Sequence, residues 1–208
     1  MNDLFDAFIF INCSHRDDRY KFMINQLENL NFDMKKVHRL EATYIPDNGA
    51  KGCSHSHYRV MKIAIKNNWN NVFIMEDDFA FDQFNKSVEK IKYIMNKYPN
   101  WDVIMPFFYL NGLEERSKKI DKFIRIPTHK KYRAFSTLCY AVNKKMFETL
   151  KENFYKSYKI QPMNKINFNK KNKFPVDKYW QRLQLSYEWY LIDPKCGYQI
   201  QTKSDIST

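Results

Sequence analysis

The chain has 208 residues, of which 44% are hydrophobic and 17% aromatic, with only four glycines. This composition excludes a disordered or low-complexity chain, and the length is sufficient for one domain with a substantial core. The formal net charge is +12, because residues 116–208 carry 21 Lys and Arg against 7 Asp and Glu, whereas residues 1–115 carry 14 against 16. Such a basic half suits an anionic ligand, a nucleic acid or a membrane surface, although a solvated lysine-rich face explains it equally well.

The first predicted unit is a strand followed by a helix. Residues 8–12 form an apolar run that ends in an asparagine. Ser14 stands three residues before Asp17, which is the spacing of a capping box at a helix start. Arg16 and Arg19 fall in the first helical turn, near the carboxyl edge of the strand. There they could bind a ligand phosphate or form surface ion pairs.

The second predicted unit contains a histidine-rich motif. A short strand over residues 37–43 is followed by a turn at 46–49. The small and hydroxyl residues of GCSHSH, at 52–57, are typical of a helix start, so we predict that a helix begins there. His55 and His57 are two positions apart and would point in different directions from a helix, which argues against a two-histidine metal site.

Three consecutive acids follow the third predicted strand. Residues 72–75 are apolar and lead directly into Glu76, Asp77 and Asp78. The run predicts a buried strand that delivers the acids to one edge of a sheet, where open α/β folds bind ligands. Adjacent carboxylates repel one another unless a cation or donors compensate them, and oxygen ligands suit Mg²⁺ or Mn²⁺. A solvated acidic turn is the alternative that the local sequence leaves open.

The remaining pattern continues to alternate between strands and helices. Three strand–helix alternations in the first half of the chain predict an α/β fold with a largely parallel sheet. The lysine- and asparagine-rich segment that ends at Lys173 is predicted to be a mobile loop over the site. The other predicted elements are a helix carrying Val88, Ile91, Met95 and Tyr98, a strand at 101–105, a surface loop at 112–131, a strand at 135–142, a helix capped by Asn143, a strand at 189–192 and a polar tail at 198–208.

Cysteine spacing and hydropathy restrict the compartment. Cys13, Cys53, Cys139 and Cys196 lie far apart without a CxxC pair, so their spacing predicts free thiols rather than disulfides or a zinc site. The acidic start of the chain is unlike the basic start of a secretory leader. No segment has the apolar length of a membrane span, and we therefore expect a cytoplasmic protein.

Several of these pieces, in this order, resemble glycosyltransferase family 25, which includes bacterial lipooligosaccharide galactosyltransferases and collagen galactosyltransferases. The resemblance covers nearly the whole chain, and its specific part is GCSHSH at 52–57 followed by EDD at 76–78. The matching residues are FIFIN (8–12) with Arg16 and Arg19, Glu41-Ala42-Thr43, GCSHSH, VFIMEDD (72–78), Trp101-Asp102, STLCYAV (136–142), Pro175-Val176-Asp177, Gln201 and Ser204-Asp205-Ile206.

The resemblance implies a single GT-A type domain over residues 1–208, which is a Rossmann-like, mostly parallel twisted sheet with flanking helices. Residues 1–110 would form the nucleotide-binding half, and the basic residues 111–208 would form the acceptor side. Glu76 and Asp78 would hold Mn²⁺ or Mg²⁺ in the manner of a DxD motif. The residues implied around the UDP-sugar donor are Arg16, Arg19, Thr43, His57, Asp77 and Thr137.

The implied reaction transfers a hexose, galactose or glucose, from UDP to an acceptor hydroxyl on a glycan or glycoprotein. The family is described as inverting, which requires a carboxylate base opposite the leaving group. We predict Asp177 for this role, although an acid after a proline could equally be a helix cap or turn residue. Asp205 is the competing candidate, either as the base or as a contact to the metal.

Two departures and two alternatives accompany the resemblance. His55 stands where the family more often has an apolar residue, and the acceptor side is short. A short form resembles the bacterial enzymes and the stand-alone versions of large DNA viruses, which would place it in the cytoplasm or in a virion. The alternatives are a basic nucleic-acid-binding module, for which the chain lacks a recognised motif, and a family member that binds a nucleotide-sugar or glycan without turnover. Exposed aromatic residues of the second half could form an acceptor groove or a homodimer interface.

Overall fold

The computed structural model describes residues 1–110, 117–127, 133–163 and 174–201. Twelve strands occur in the described residues, namely β1 Ala7–Asn12, β2 Val37–Glu41, β3 Asn71–Glu76, β4 Phe79–Phe81, β5 Val103–Met105, β6 Tyr109–Leu110, β7 Ser117–Asp121, β8 Ile124–Pro127, β9 Ala134–Phe135, β10 Cys139–Asn143, β11 Trp189–Ile192 and β12 Gly197–Gln199. The α-helices are α1 Asp17–Asn29, α2 Gly49–Lys66, α3 Phe84–Lys97, α4 Phe147–Ile160 and α5 Val176–Tyr179, with 3₁₀ turns at Met34–Lys36, Lys144–Met146 and Trp180–Leu183.

Eight of the strands form a mixed central sheet in the order β2-β1-β3-β10-β5-β11-β8-β7. Strand β1 pairs in parallel with β2 and β3, and β5 pairs in parallel with β11. Strands β10 and β8 pair antiparallel with each of their neighbours, so six strands run one way and two run the other. The predicted α/β fold with a mostly parallel twisted sheet and flanking helices is therefore confirmed.

Alternating side chains of the central strands supply the two faces of the core. On β1, Ile9 and Ile11 face one cluster, while Phe8 and Phe10 face the other. Successive strand residues point to opposite faces, so a strand buried on both sides reads as a continuous apolar run. Helices α2 and α4 cover the first face, and α1 and α3 cover the second. The result is a sheet between two helical layers, with the carboxyl ends of β1, β2 and β3 at one edge.

The starts of the first two long helices differ from the sequence prediction. Helix α1 begins after Arg16 without a side-chain cap, so the predicted capping box with Ser14 is wrong. Helix α2 begins at Gly49, and the side chain of Asn48 caps it by accepting a hydrogen bond from the Lys51 amide. The GCSHSH motif therefore lies inside the helix, because Asn48 supplies the cap one turn earlier.

The second half of the chain contains more strand than its polar sequence predicts. Strands β7 and β8 form a hairpin within the predicted surface loop, and β12 lies within the predicted tail and pairs with β4. Strand β7 is at the sheet edge, where exposed lysines such as Lys118 are tolerated. Because its sequence is polar, it lacks the apolar pattern from which a strand is predicted. The predicted strand at 135–142 is divided into β9 and β10 by Ser136, which has a positive φ of 106°. The predicted loop up to Lys173 falls mostly outside the described residues.

Candidate functional site

A groove lies at the carboxyl ends of β1 and β3, between α1, α2 and the segment that follows β2. It contains about 690 Å³ of empty space, a figure that counts the open mouth of the groove. The described residues that line it are Ile11, Cys13, Arg19, Ala42, Thr43, Tyr44, Ile45, Gly49, Cys53, Ser56, His57, Glu76, Asp77, Asp78 and Gln199. Parallel strands end together at this edge, which brings residues distant in sequence into one site.

The GCSHSH motif builds one wall of the groove by holding the segment after β2 against α2. A Cβ atom on Gly52 would lie 2.3 Å from the Thr43 carbonyl oxygen, so this close approach requires glycine. Ser56 Oγ accepts a hydrogen bond from the Thr43 amide at 2.8 Å and donates to the Gly52 carbonyl oxygen. The Thr43 hydroxyl lies 2.8 Å from His55 Nδ1, and Arg59 donates to it at 3.3 Å. These contacts fix Thr43 at the groove.

Glu76 is the last residue of β3 and gathers several side chains around one carboxylate oxygen. Its Oε1 accepts a hydrogen bond from the Thr137 hydroxyl at 2.6 Å and lies 3.2 Å from His57 Nε2. The Cys53 thiol is 4.0 Å from the same oxygen. Burial pushes the pKa of Glu76 upward, but the contacts with His57 and Thr137 outweigh it and hold that pKa below its usual value. Burial, followed by the charge of Glu76, raises the pKa of the Cys53 thiol.

Asp77 is held by side chains of the neighbouring strand and helix. Its two carboxylate oxygens accept hydrogen bonds from Arg19 at 2.8 Å and from Asn12 at 2.7 Å. Asn12 ends β1 and Arg19 lies in the first turns of α1, so Asp77 ties both elements to the end of β3. Burial raises the pKa of Asp77, although the hydrogen bond from Arg19 opposes this effect. Asp77 therefore lines the groove and also ties its two walls together.

Asp78 differs from Asp77 because one of its carboxylate oxygens has no hydrogen-bond partner in the part of the chain that the structure describes. Oδ2 accepts a hydrogen bond from Gln199 at 3.0 Å and lies 3.2 Å from the Arg19 guanidinium. Oδ1 is buried and has no hydrogen-bond partner among the described residues. Burial, followed by the charge of Glu76, raises the pKa of Asp78 to about 6. A buried carboxylate oxygen without a donor is costly, so it marks a position where a cation would be stabilising.

The residues at this edge fit the divalent cation that a GT-A fold implies. The unpartnered Asp78 Oδ1 is a hard oxygen ligand of the kind that Mg²⁺ and Mn²⁺ prefer. Glu76 is close enough for its charge to raise the pKa of Asp78. A cation beside the two carboxylates would offset this repulsion, because a nearby positive charge favours the charged form of each carboxylate.

The structure brings most of the predicted site residues together. Thr137 joins Glu76 by a hydrogen bond, although it comes from the segment before β10. Arg16 lies outside the groove lining and pairs instead with Asp18, with N–O distances of 2.9 and 2.8 Å. Asp177 lies in the first turn of α5, and burial followed by the charge of Glu76 raises its pKa. Asp205 lies outside the described residues.

The sequence prediction omitted several residues that the structure places at the site. Cys53 and Tyr140 contact the Glu76–His57 pair, since the Tyr140 hydroxyl lies 2.7 Å from His57 Nδ1. The spacing of Cys53 and His57 is the available signal, because residues four apart lie on the same face of a helix. Asn12 and Gln199 reach the acids only through strand pairing, so their local sequence holds no comparable signal.

Solved structures of other proteins resemble this chain. A glycosyltransferase involved in the glycosylation of the major capsid of PBCV-1 is 9% identical, and the match covers 90% of this chain and 82% of that chain with a TM-score of 0.52. UDP-glucose pyrophosphorylase complexed with UDP-glucose is 9% identical and is matched over 93% and 74%, with a TM-score of 0.49. At 9% identity the likeness to the PBCV-1 glycosyltransferase shows the fold alone. No curated protein matches the chain.

A family model matches a large central part of the chain. The model describes glycosyltransferase family 25, given as an LPS biosynthesis protein, and it matches residues 41–180. This span contains the GCSHSH motif, the EDD acids and Asp177, but not Arg16, Arg19 or the last strand. None of the described helices combines the length and apolar character that a membrane crossing requires. The match extends over more than half of the sequence, and the chain therefore belongs to glycosyltransferase family 25.

Proposed function

We propose that the protein is a metal-dependent enzyme that transfers a hexose, galactose or glucose, from a UDP-sugar to a hydroxyl of a glycan or glycoprotein, with inversion. The observation that carries the proposal is the acidic end of β3 in the groove, where Asp78 Oδ1 is buried without a hydrogen-bond partner in the described chain. Membership of a glycosyltransferase family supplies the reaction class. The carboxylates at the end of β3 are the reason for proposing that the enzyme needs a metal.

The donor diphosphate would lie at the carboxyl edge of β1 and β3. Asp78 is the direct ligand of Mn²⁺ or Mg²⁺ in this proposal, and Glu76 flanks the cation. A divalent cation at this position would bridge the diphosphate and offset the charge that develops on the leaving UDP. Thr43 and Arg19, which line the same groove, are proposed to border the nucleotide. Asp77 positions this wall through Arg19 and Asn12.

Asp177 is the proposed base that removes the proton from the acceptor hydroxyl. Its raised pKa, caused by burial and then by the charge of Glu76, makes the carboxylate a stronger proton acceptor than an exposed aspartate. Helix α5, which belongs to the second half of the chain, contacts α2 and α4. The acceptor would then approach from the basic half of the chain. Asp205 remains the alternative base.

Thermal unfolding in the presence of UDP-sugars, with and without Mn²⁺, tests the donor and the metal without an acceptor. One UDP-sugar should raise the melting temperature only when Mn²⁺ is present, because donor binding is proposed to need the metal. The expected size follows from mass action, since a ligand at 100 times its Kd adds about 2.7 kcal/mol to the stability of the folded state. In Asp78→Asn this shift should disappear, while Asp82→Asn, at an exposed aspartate four residues along the chain, should keep it.

The outcomes separate the proposal from its alternatives. Stabilisation that does not need the metal would contradict the role of Asp78. No shift with any UDP-sugar, combined with steeply salt-dependent binding of DNA or RNA, would favour the nucleic-acid-binding alternative. Donor binding without release of UDP in the presence of glycan acceptors would indicate a family member without turnover. The anomeric configuration of the first product, read by NMR, tests inversion, and Asp177→Asn should abolish transfer but keep the Mn²⁺-dependent shift.

A further inference from the structure

We propose that Cys53, His57 and Glu76 form a Zn²⁺ site in the groove wall, at a different position from the hard cation at Asp78 but sharing Glu76 with it. The ligand atoms of these three residues all lie within 4.8 Å of one another. Binding of a hard cation by the acids, which the resemblance to the family implies, does not require the Cys53 thiol beside Glu76. A cluster of sulfur, nitrogen and oxygen ligands instead matches a softer cation.

The distances require little movement for tetrahedral coordination. His57 Nε2 is 3.2 Å from Glu76 Oε1, and Cys53 Sγ is 4.0 Å from the same oxygen. With Zn–S near 2.3 Å and Zn–N and Zn–O near 2.0–2.2 Å, neighbouring ligands of tetrahedral Zn²⁺ are about 3.3–3.6 Å apart. The His57–Glu76 separation nearly satisfies this requirement, and the thiol must approach Glu76 Oε1 by about half an ångström. The thiol and the His57 nitrogen lie within 4.8 Å of each other, so the thiol must also move toward His57 if their separation is near that limit.

Secondary structure holds the ligands in place. Cys53 and His57 are four residues apart on α2, so both side chains leave the same face of one helix. Glu76 is the last residue of the central strand β3. A helix and a strand, both rigid elements, therefore hold the three ligands. The four-residue spacing on the helix is by itself enough to place the side chains of Cys53 and His57 side by side. His55, two residues before His57, contacts Thr43 instead.

A second layer of contacts orients the ligands. The Tyr140 hydroxyl lies 2.7 Å from His57 Nδ1, so its oxygen can accept a hydrogen bond from Nδ1–H when Nε2 binds a metal. Ligating histidines usually have such an acceptor on the other ring nitrogen. Thr137 donates a hydrogen bond to Glu76 Oε1 and so orients the carboxylate. Both partners are in the chain around β10, which is anchored in the middle of the sheet.

The ligand set predicts the cation and the coordination. Thiolate and imidazole ligands favour Zn²⁺ over Mg²⁺ or Mn²⁺. All three ligands line the groove, so the fourth tetrahedral position would face the groove and take a water or a ligand oxygen. When Zn²⁺ binds, the Cys53 thiol proton is released to solvent and the thiolate forms the Zn–S bond. Because Glu76 is shared, Zn²⁺ should also antagonise Mn²⁺-dependent transfer, and this last effect alone rests on the proposed function.

Co²⁺ is the spectroscopic probe for the site, used on the full chain without Mn²⁺ or donor. Bound Co²⁺ should show the intense visible bands of four-coordinate geometry and a near-ultraviolet thiolate charge-transfer band, and one equivalent of Zn²⁺ should remove both. The charge-transfer band should be lost in Cys53→Ser. Zn²⁺ affinity, measured by competition with a chromophoric chelator, should fall at least 10-fold in that variant and about 10-fold in Tyr140→Phe.

Cys13→Ser is the matched control, because Cys13 lines the same groove but is not one of the three ligands. A second measurement uses the unchanged protein and so does not depend on the folding of variants. Zn²⁺ should slow alkylation of Cys53 at least 10-fold relative to alkylation of Cys13, as read by peptide mass analysis. Octahedral Co²⁺ without a charge-transfer band, a Cys53→Ser protein with unchanged Zn²⁺ affinity, or equal protection of both thiols would overturn the proposal.

The outcome of the Co²⁺ and Zn²⁺ measurements does not depend on the outcome of the thermal unfolding with UDP-sugars. A thiolate–Co²⁺ band in a protein that no UDP-sugar stabilises would leave the Zn²⁺ site standing and contradict the proposed transferase. The reverse result would leave the transferase standing and show that Cys53 and His57 only brace Glu76.

Discussion

At the scale of single residues, the site depends on one buried arginine that compensates two of the three acids. Arg19 is 7% exposed and contacts Asp77 at 2.8 Å and Asp78 at 3.2 Å. The sequence placed Arg19 near the edge of the sheet, but it suggested a phosphate or a surface partner. Only the tertiary structure buries the guanidinium against carboxylates, because Asp77 is 58 residues away from Arg19 along the chain.

Replacement of Arg19 by methionine should strongly destabilise the protein. The variant keeps the apolar stem but leaves two buried carboxylates without their cation, which typically costs about 3–5 kcal/mol. The free energy of unfolding in urea measures this loss. The matched control is Lys21→Met on the same helix, whose exposed pair with Asp17 should contribute little.

A second substitution attributes the effect to the ion pair. Asp77→Asn in the Arg19→Met background should recover part of the lost stability, because it removes one of the unpaired charges. The coupling between the two sites in a double-mutant cycle should be about 0.5–3 kcal/mol. Strictly additive losses would mean that Arg19 acts through packing of its stem alone.

At the scale of elements, α2 both covers the sheet and forms the wall of the groove. It packs extensively on α4, and its buried residues include Val60, Met61 and Ala64. Near its N-terminus the same helix approaches the backbone at Thr43 so closely that Gly52 leaves no room for a side chain. The motif therefore has a packing role in addition to the ligand roles proposed for its other residues.

Gly52→Ala should destabilise the protein although alanine is the better helix former. The helical preference of alanine would add about 1 kcal/mol, but the new methyl group would clash with the Thr43 carbonyl and force the segment outward, with a net loss of about 1–3 kcal/mol. Urea unfolding measures the loss. Any donor binding should weaken as well, because Thr43 lines the groove.

Lys62→Ala, at an exposed position of the same helix, is the control for general effects of alanine on α2. It should leave stability close to that of the unchanged protein. A Gly52→Ala protein that is more stable than the original would show that the segment after β2 yields freely, and would contradict the packing role of the motif.

At the scale of the whole molecule, the two halves proposed from the sequence are interleaved in one sheet. Strand β10 from the second half lies between β3 and β5 of the first half. Strand β5 has β10 and β11 as its neighbours, so both of its partners come from residues 111–208. Each hydrophobic cluster likewise contains residues of both halves, for example Ile9 with Leu191 and Phe73 with Ile192.

The protein should therefore unfold as one cooperative unit. Calorimetry should show a single transition with equal calorimetric and van't Hoff enthalpies, the criterion for two-state unfolding. A fragment of residues 1–110 should not fold, because β3 and β5 would lose their partners on the second-half side. Cooperative thermal unfolding of that fragment, followed by circular dichroism, would contradict this prediction and separate the halves as domains.

The limits of sequence reasoning follow from the range of the interactions. Helix α4, with Leu150 and Phe154 buried, and strand β11 match their predictions because local apolar spacing determines them. Strands β7 and β12 have mostly polar sequences, and β8 has only four residues. Local spacing therefore does not predict these strands, which form by pairing with partners elsewhere in the chain. The helix start at Gly49 was missed because the Asn48 cap resembles an ordinary turn.

The sequence by itself determined the α/β class, the burial of the strand before the acids and the arrival of those acids at one edge of a sheet. These features depend on periodicity and on short apolar runs, which are local properties of the chain. Only the tertiary structure decided that Asp77 would pair with Arg19, that Asp78 would keep one unpartnered oxygen and that Glu76 would meet Cys53, His57 and Thr137. Three carboxylates adjacent in sequence acquire different surroundings because strand pairing and helix packing bring a different set of distant residues to each of them.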